Sequence, residues 1–535
     1  MNTQVITSFW QGTLLIGLLS LSSCSQNITY DVLINNIEVF DGDGDESYRG
    51  NVAIKDNTIY LKNISRKTKA LKIIDGNGLA IAPGFIDVHA HLEPIEIFPQ
   101  AESAIRMGCT TALGGPDGSS PVDMGKYLDT LQSIGTGINV AFLVGHNSVR
   151  MEVMGLENHP PSKEEIEAMS NRIEEAMKDG VFGISTGLKY LPGTWAEFDE
   201  IVTLSKVASK YGGIYTSHLR EEGLGLFAGV QEAINIAEQA DIPVVLTHHK
   251  AIGLPMWGSS DSTLAMVVSA RKRGLDVMVD QYPYTASYTG LSVLIPPWSM
   301  VGGKYDKFAE RVADPLLRDS IKRGIIFNIM NDRGGGDLKR IQLAKFDWKP
   351  ELEGKTLYDW AVKEGLEPNA ENGADLIIEA QLHRGASAIY HAISPEDVKN
   401  IMAGPHTMIA SDGRITEFKK GFPHPRVYGT FPRVIGHYAR DEGVLPMHVA
   451  IQKMTSMPAD RLGLKDRGRI ADGFKADLVI FNPMTIIDKA TFEQPHQYPE
   501  GIEYVIINGE FVLEQGQFND LRSGVVLRGP GYGME

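Results

Sequence analysis

The run Gly84-Phe85-Ile86-Asp87-Val88-His89-Ala90-His91 sets two imidazoles two residues apart at the end of an apolar stretch. On an extended strand residues i and i+2 face the same side, so His89 and His91 can offer both rings to one cation. Alone, such a pair is as compatible with packing as with ligation. Four further residues shift that balance, each beside a strand-like run. Cys109 follows Met107-Gly108, and His218 closes Gly213-Ile214-Tyr215-Thr216-Ser217. His248 closes Pro243-Val244-Val245-Leu246-Thr247, and Asp412 closes Thr407-Met408-Ile409-Ala410-Ser411. Imidazole, thiolate and carboxylate are all zinc donors, and a thiolate can bridge two ions. Each residue has a plain reading by itself; a buried cysteine usually packs as a small hydrophobe. Their recurrence at successive strand ends is what points to a metal centre. Zinc there would activate water and polarise a carbonyl, which is hydrolytic chemistry.

Strands and helices must alternate to place such residues together. Asn139 to Val144, Val181 to Ser185, Pro243 to Leu246 and Leu275 to Val279 read as buried parallel strands. A helix is predicted from Lys163 to Lys178, opened by a Ser162/Glu165 capping box and striped by Ile166, Met169, Ile173 and Met177. This alternation favours a barrel or a doubly wound sheet. In a barrel the functional groups gather at the C-terminal ends of the strands. The stretch 291–355 breaks the rhythm with Pro296-Pro297 and Gly334-Gly335-Gly336 and reads as an insertion. Short strands with Asp-Gly and Asn-Gly turns fill Tyr30 to Pro83 and return at Ala476 to Phe481 and Tyr504 to Val512.

These residues together resemble the amidohydrolase superfamily, and within it the D-aminoacylases, or N-acyl-D-amino-acid deacylases. The resemblance is carried by the histidine motif, Gly183-Ile184-Ser185-Thr186-Gly187, Thr216-Ser217-His218-Leu219-Arg220 and Thr247-His248-His249-Lys250. It continues through Asp280-Gln281-Tyr282-Pro283-Tyr284, Ser411-Asp412-Gly413, and the segment from His424 to Arg433. It implies an α/β fold: a metal-dependent (β/α)8 TIM barrel at 83–463 with a small β-sandwich domain built from both chain termini, 25–82 and 464–535. It also implies zinc, as one tightly bound ion and a second, weaker site. His218, His248 and Cys109 would hold the tight ion, and His89, His91 and Asp412 the weaker one. Cys109 would take the place of the carbamylated lysine of other amidohydrolases. His249 would then turn away to pack, and His146 would end another strand near the pocket. Asp412 is expected to move a proton from water to the leaving amine as well.

Arginine grips a carboxylate with two parallel hydrogen bonds and lysine adds a point charge. The resemblance assigns Lys250, Tyr282 and Arg426 to the α-carboxylate of an N-acyl amino acid. Lys189 and Tyr190 fall where relatives place their pocket residue, and Lys189 departs from the aromatic residue of deacylases for hydrophobic D-amino acids. Where a glutamate-selective relative offers an arginine, this chain reads Leu294-Ile295-Pro296. The expected activity is hydrolysis of N-acyl-D-amino acids. Cyclic-amide opening of the dihydroorotase or hydantoinase kind, D-dipeptide hydrolysis, and a non-catalytic lipid-anchored binding protein are the alternatives.

The 535 residues include 51 Lys and Arg against 67 Asp and Glu, a net charge of −16, which argues against nucleic acid as the main partner. A small-molecule substrate is expected instead. Residues 1–23 carry no charged side chain and hold a short apolar core from Leu14 to Leu21, too short to span a bilayer. With Leu21-Ser22-Ser23-Cys24 they resemble a lipoprotein signal. Cys24 would carry lipid, and the chain would be exported to the cell envelope or periplasm and held to a membrane by that anchor alone.

Overall fold

The computed structural model describes Met1 and residues 28–534, so the expected signal segment beyond Met1 and Cys24 lie outside the described residues. Eight parallel strands form a (β/α)8 barrel. They are Phe85–Asp87, Cys109–Gly114, Asn139–Phe142 with Val144–Gly145, Gly183–Gly187, Ile214–His218, Val244–Leu246, Val277–Gln281 and Thr407–Ile409. Gly413–Arg414 runs parallel to Ala90–His91 and closes the ring, and Asp412 N–H donates to His89 O at 2.8 Å across the seam.

Side chains alternate along each strand with a period of two. Ile86, Val245, Met278 and Met408 share one buried cluster inside the ring. Their neighbours Phe85, Val244, Leu246, Val277, Val279 and Ile409 belong to the cluster packed against the surrounding helices. Both faces are therefore apolar, which is why these strands read as continuous hydrophobic runs. One of the helices, Lys163–Asp179, starts where its capping box demands: Ser162 Oγ accepts from Glu165 N–H and Glu165 accepts from Ser162 N–H.

The insertion is longer than the expected 291–355. The chain leaves the seventh strand at Gln281 and does not rejoin the ring until Thr407. Helices Leu357–Lys363 and Ala370–Leu382 followed by the strand Ser387–Tyr390 look like one more barrel unit in sequence. That strand instead pairs antiparallel with Ser287–Gly290 and Ile341–Lys345, a direction no barrel strand can take. Helix Pro395–Ala403 packs back on the barrel, against helix Ser260–Lys272 and the strand Thr407–Ile409.

The two chain ends meet in one nine-stranded sheet, joined where Ala80–Pro83 pairs antiparallel with Leu478–Phe481. Leu478, Ile480 and Ile506 face the sheet's own core, while Val479, Phe481, Val505 and Ile507 face the barrel side. No helix among the described residues is long and apolar enough to cross a membrane.

Candidate metal centre

At the C-terminal ends of the barrel strands two groups of potential ligands share one residue. His89, His91, Asp117 and Asp412 form one, and Asp117, His218 and His248 the other, with ligand atoms in each within 4.8 Å of one another. Asp117 Oδ1 lies 3.5 Å from His89 Nε2 and 3.3 Å from His248 Nε2. Its Oδ2 lies 3.7 Å from His91 Nε2 and 3.6 Å from His218 Nδ1. Asp412 Oδ1 is 3.1 Å from His91 Nε2, and its Oδ2 is 2.7 Å from Arg426 Nη1.

The structure does not bring Cys109 to this cluster. Cys109 opens its strand, so it stands at the end of the barrel opposite the site, and its side chain belongs to the outward-facing core. There the thiol donates to Thr111 O, and burial pushes its pKa well above the ordinary range, Asp87 adding to the effect. Asp117, three residues past the other end of the same strand, stands between the two groups instead. The turn Gly114-Gly115-Pro116 marks where that strand stops, and is the signal that could have located it. Asp117, His248 and Asp412 all have left-handed backbone, at φ of 54°, 35° and 49°. Each such residue costs about 1–3 kcal/mol and persists where the surroundings demand it.

Residues behind the cluster fix its rings. Asp280 on the seventh strand accepts from His248 N–H at 2.6 Å and approaches His89 Nδ1 at 3.9 Å. Glu222, in the loop four residues beyond His218, lies 3.5 Å from His218 Nε2 and 3.2 Å from His248 Nδ1, and is paired with Lys250. Sequence reasoning assigned a role to neither. His249 turns away and meets Thr263 at 2.8 Å. His146 is buried against Glu200 at 2.7 Å, away from the cavity wall.

The cluster lines a cavity of about 1330 Å3 whose wall also includes Lys250, Tyr282, Arg426 and Tyr190. Arg426 stacks over Tyr282 at 4.7 Å, and the buried Tyr282 hydroxyl has no partner among the described residues. Lys189 is not on this wall. Its ammonium is held by Glu221 at 2.9 Å and 3.0 Å and faces Asp332 at 3.6 Å, so an ion pair satisfies it beside the cavity. Leu294 and Ile295 are buried in the core and also stay off the wall.

The donor set fits a divalent cation. Both ring nitrogens of His89 and of His218, and Asp117 Oδ1, are buried with no hydrogen-bond partner among the described residues. Buried polar atoms left unpaired are costly, and convergent lone pairs call for a cation rather than a proton donor. Burial works against the charge on Asp117, yet His89, His248 and His218 outweigh it and hold the carboxyl well below its ordinary value. On Asp412 burial is likewise overcome, chiefly by Arg426 and then His89, and the group stays anionic. Burial disfavours charge on His248, as does Lys250, but Asp117 and Glu222 lift it to about 9. His218 is pushed down, chiefly by burial.

A (β/α)8 barrel with histidine and aspartate gathered at its strand ends defines a metal-dependent hydrolase of the amidohydrolase kind. A model described as the amidohydrolase family matches residues 357–513. D-aminoacylase of Alcaligenes xylosoxydans xylosoxydans is 34% identical over 533 residues, covering 94% of this chain and 99% of that one. N-acyl-D-glutamate deacylase of the same organism is 33% identical, covering 93% and 96%. Among solved structures, D-aminoacylase superposes with a TM-score of 0.79 at 30% identity, covering 93% of this chain and all of that one. N-acyl-D-glutamate deacylase from Bordetella bronchiseptica, complexed with zinc and a phosphonate inhibitor, also gives 0.79 at 30% identity, covering 94% of this chain and 100% of that one. The chain belongs to the D-aminoacylase family of amidohydrolases.

Proposed function

We propose that this chain is a zinc-dependent hydrolase that cleaves N-acyl-D-amino acids to a carboxylate and a free D-amino acid. The observation that carries this reading is the shared cluster of four histidines and two aspartates with unpaired, convergent donors. His218, His248 and Asp117 would hold one ion, and His89, His91 and Asp412 the other, with Asp117 common to both. Bound there, zinc supplies a nucleophile at neutral pH and electrophilic pull on an amide carbonyl.

The chain's own residues supply the rest. Asp412, kept anionic at the cavity wall, is placed to take a proton and deliver it to the departing amine. Arg426 and Lys250, both near the Tyr282 ring, line the cavity with its unpartnered hydroxyl and would grip the α-carboxylate. Guanidinium has two hydrogen-bonding edges, so Arg426 can hold Asp412 and substrate together. With the α-carboxylate and the acyl carbonyl both fixed, the two enantiomers send their side chains in different directions, which is the basis for D selectivity.

The test is turnover of paired N-acetyl-D- and N-acetyl-L-amino acids alongside zinc content. Turnover confined to the D series, abolished by chelation and restored by zinc, is the expected result. Bound zinc without turnover of either enantiomer overturns the substrate assignment. We further propose export and lipid attachment at Cys24, on the strength of the uncharged apolar segment and Leu21-Ser22-Ser23-Cys24. Membrane fractionation of the full chain and of Cys24→Ala tests it; equal partition of the two proteins into the soluble fraction overturns it.

A further inference from the structure

The insertion contributes a cation to the cavity that the deacylase chemistry does not use. Arg333 is 2% exposed, yet its side chain forms part of the cavity wall. A guanidinium carries five N–H donors. Here Nη1 donates to Ser287 Oγ at 3.3 Å, and the buried Nε has no partner among the described residues. The nearest carboxylates stand beyond hydrogen-bond reach, Asp332 Oδ2 at 3.6 Å from Nε and Glu222 Oε2 at 3.9 Å from Nη2. Both already face another ammonium, Asp332 that of Lys189 and Glu222 that of Lys250. A buried cation with most of its donors unspent is costly unless an anion completes it.

We propose that Arg333 binds a second carboxylate on the substrate, so that this chain prefers N-acyl-D-amino acids with an acidic side chain. The inference rests on the deacylase reading above. Glu222 sets the scale, because it touches Lys250 on the α-carboxylate side and faces Arg333 on the other. The two cations thus flank the same carboxylate, a spacing suited to a molecule with two carboxylates a few bonds apart. Tyr190 also lines the cavity: it lies over His218, with 4.5 Å between ring centroids, and its hydroxyl accepts from Thr289 at 3.2 Å.

The experiment compares kcat/KM of the zinc-loaded protein for N-acetyl-D-glutamate, -D-aspartate, -D-glutamine and -D-methionine, and repeats it with Arg333→Met. Glutamine has nearly the shape of glutamate without its charge, so the wild-type protein alone is informative. The expected result is a preference for glutamate or aspartate over glutamine of about tenfold or more. In Arg333→Met the acidic substrates should fall about 100-fold while methionine changes less than about threefold. A wild-type protein that takes glutamine or methionine as well as the acidic pair overturns the proposal without any variant. An equal loss on all four substrates in a variant with full zinc content also overturns it. Should Arg333→Met fail to fold, Arg333→Lys is expected to keep part of the acidic preference, and an unchanged preference there counts against the proposal. No turnover of any of the four by zinc-loaded protein is instead a failure of the deacylase reading.

Discussion

Asp117 brings one carboxylate oxygen near His89 and His248 and the other near His91 and His218, so one side chain holds both halves of the centre. Asp117→Asn removes that shared charge and leaves four imidazoles around a neutral amide. Zinc affinity is expected to fall at least about 100-fold, since even outer partners of a metal site are worth 10–100-fold. Cys109→Ala should keep the zinc stoichiometry and lose only core packing; metal analysis after dialysis separates the two. Protons should also report on the metal-free site. Burial disfavours charge on His91, but Asp412 and Glu93 raise its pKa well above the ordinary value, and His248 rises to about 9. His248 is therefore imidazolium at pH 7 without metal and His91 is shifted in the same direction, and ligands must be deprotonated. Zinc uptake at pH 7 should release protons and weaken as pH falls. Calorimetry in buffers of differing ionisation enthalpy measures this, and release that does not change between pH 6 and 10 would count against it. Five of the six cluster residues were legible from the sequence, because each sits just past an apolar run. Asp117 was not, because finding it requires knowing at which end of Cys109–Gly114 the barrel opens.

At the scale of elements, strands buried on both faces announce themselves as apolar runs, and the barrel was legible for that reason. The extent of the insertion was not, since Ser387–Tyr390 has the composition of a barrel strand and only its antiparallel partners disclose its place. Arg333 was missed for the same reason: nothing local says that the insertion folds back over the cavity. One junction the sequence does not display is the return from helix Pro395–Ala403 to the last barrel strand. Lys453, 2% exposed, sends its ammonium there to Gly404 O and, at 3.0 Å, to Thr407 O. Burial lowers its pKa from 10.5 to about 8. Between those values the unfolded chain carries a proton that the folded chain lacks, so stability rises with pH across this window and is lost as pH falls through 8. The full change is about 3 kcal/mol. Lys453→Met should abolish that rise. Urea midpoints for both proteins at pH 8 and pH 10 check it, and parallel pH dependence in the two would refute it.

For the whole molecule, the terminal sheet, the floor of the barrel and the chain's tail are tied by one buried carboxylate. Asp477 accepts from Asn139 Nδ2 at 2.9 Å, from Asn508 N–H at 2.7 Å and from Arg467. Asn139 opens the third barrel strand, while Asn508 donates onward to Ser523 O at 2.7 Å, where the tail returns to the barrel. The backbone of Asp477 also accepts from Gly84 N–H at 2.8 Å, just before the first barrel strand. The sequence suggested strands at both ends, but this pairing depends on contacts almost four hundred residues apart, which no local pattern encodes. Burial raises the pKa of Asp477 above the ordinary carboxylate value even though Arg467 pulls against it, so the intact pair is worth little net. Breaking it is another matter. Asp477→Ala strands the guanidinium of Arg467, itself 5% exposed, and should cost about 3–5 kcal/mol. Replacing both partners by neutral amides, Asp477→Asn with Arg467→Gln, removes the stranded charge and keeps hydrogen bonds, so the double variant should be more stable than Asp477→Ala alone. Both should bind zinc as the wild-type protein does below their unfolding temperatures, because this network lies at the opposite end of the barrel from the cluster. Calorimetric Tm values with zinc content decide the matter: a double variant no more stable than Asp477→Ala would mean that the ion pair itself, and not the stranded charge, is what the junction needs.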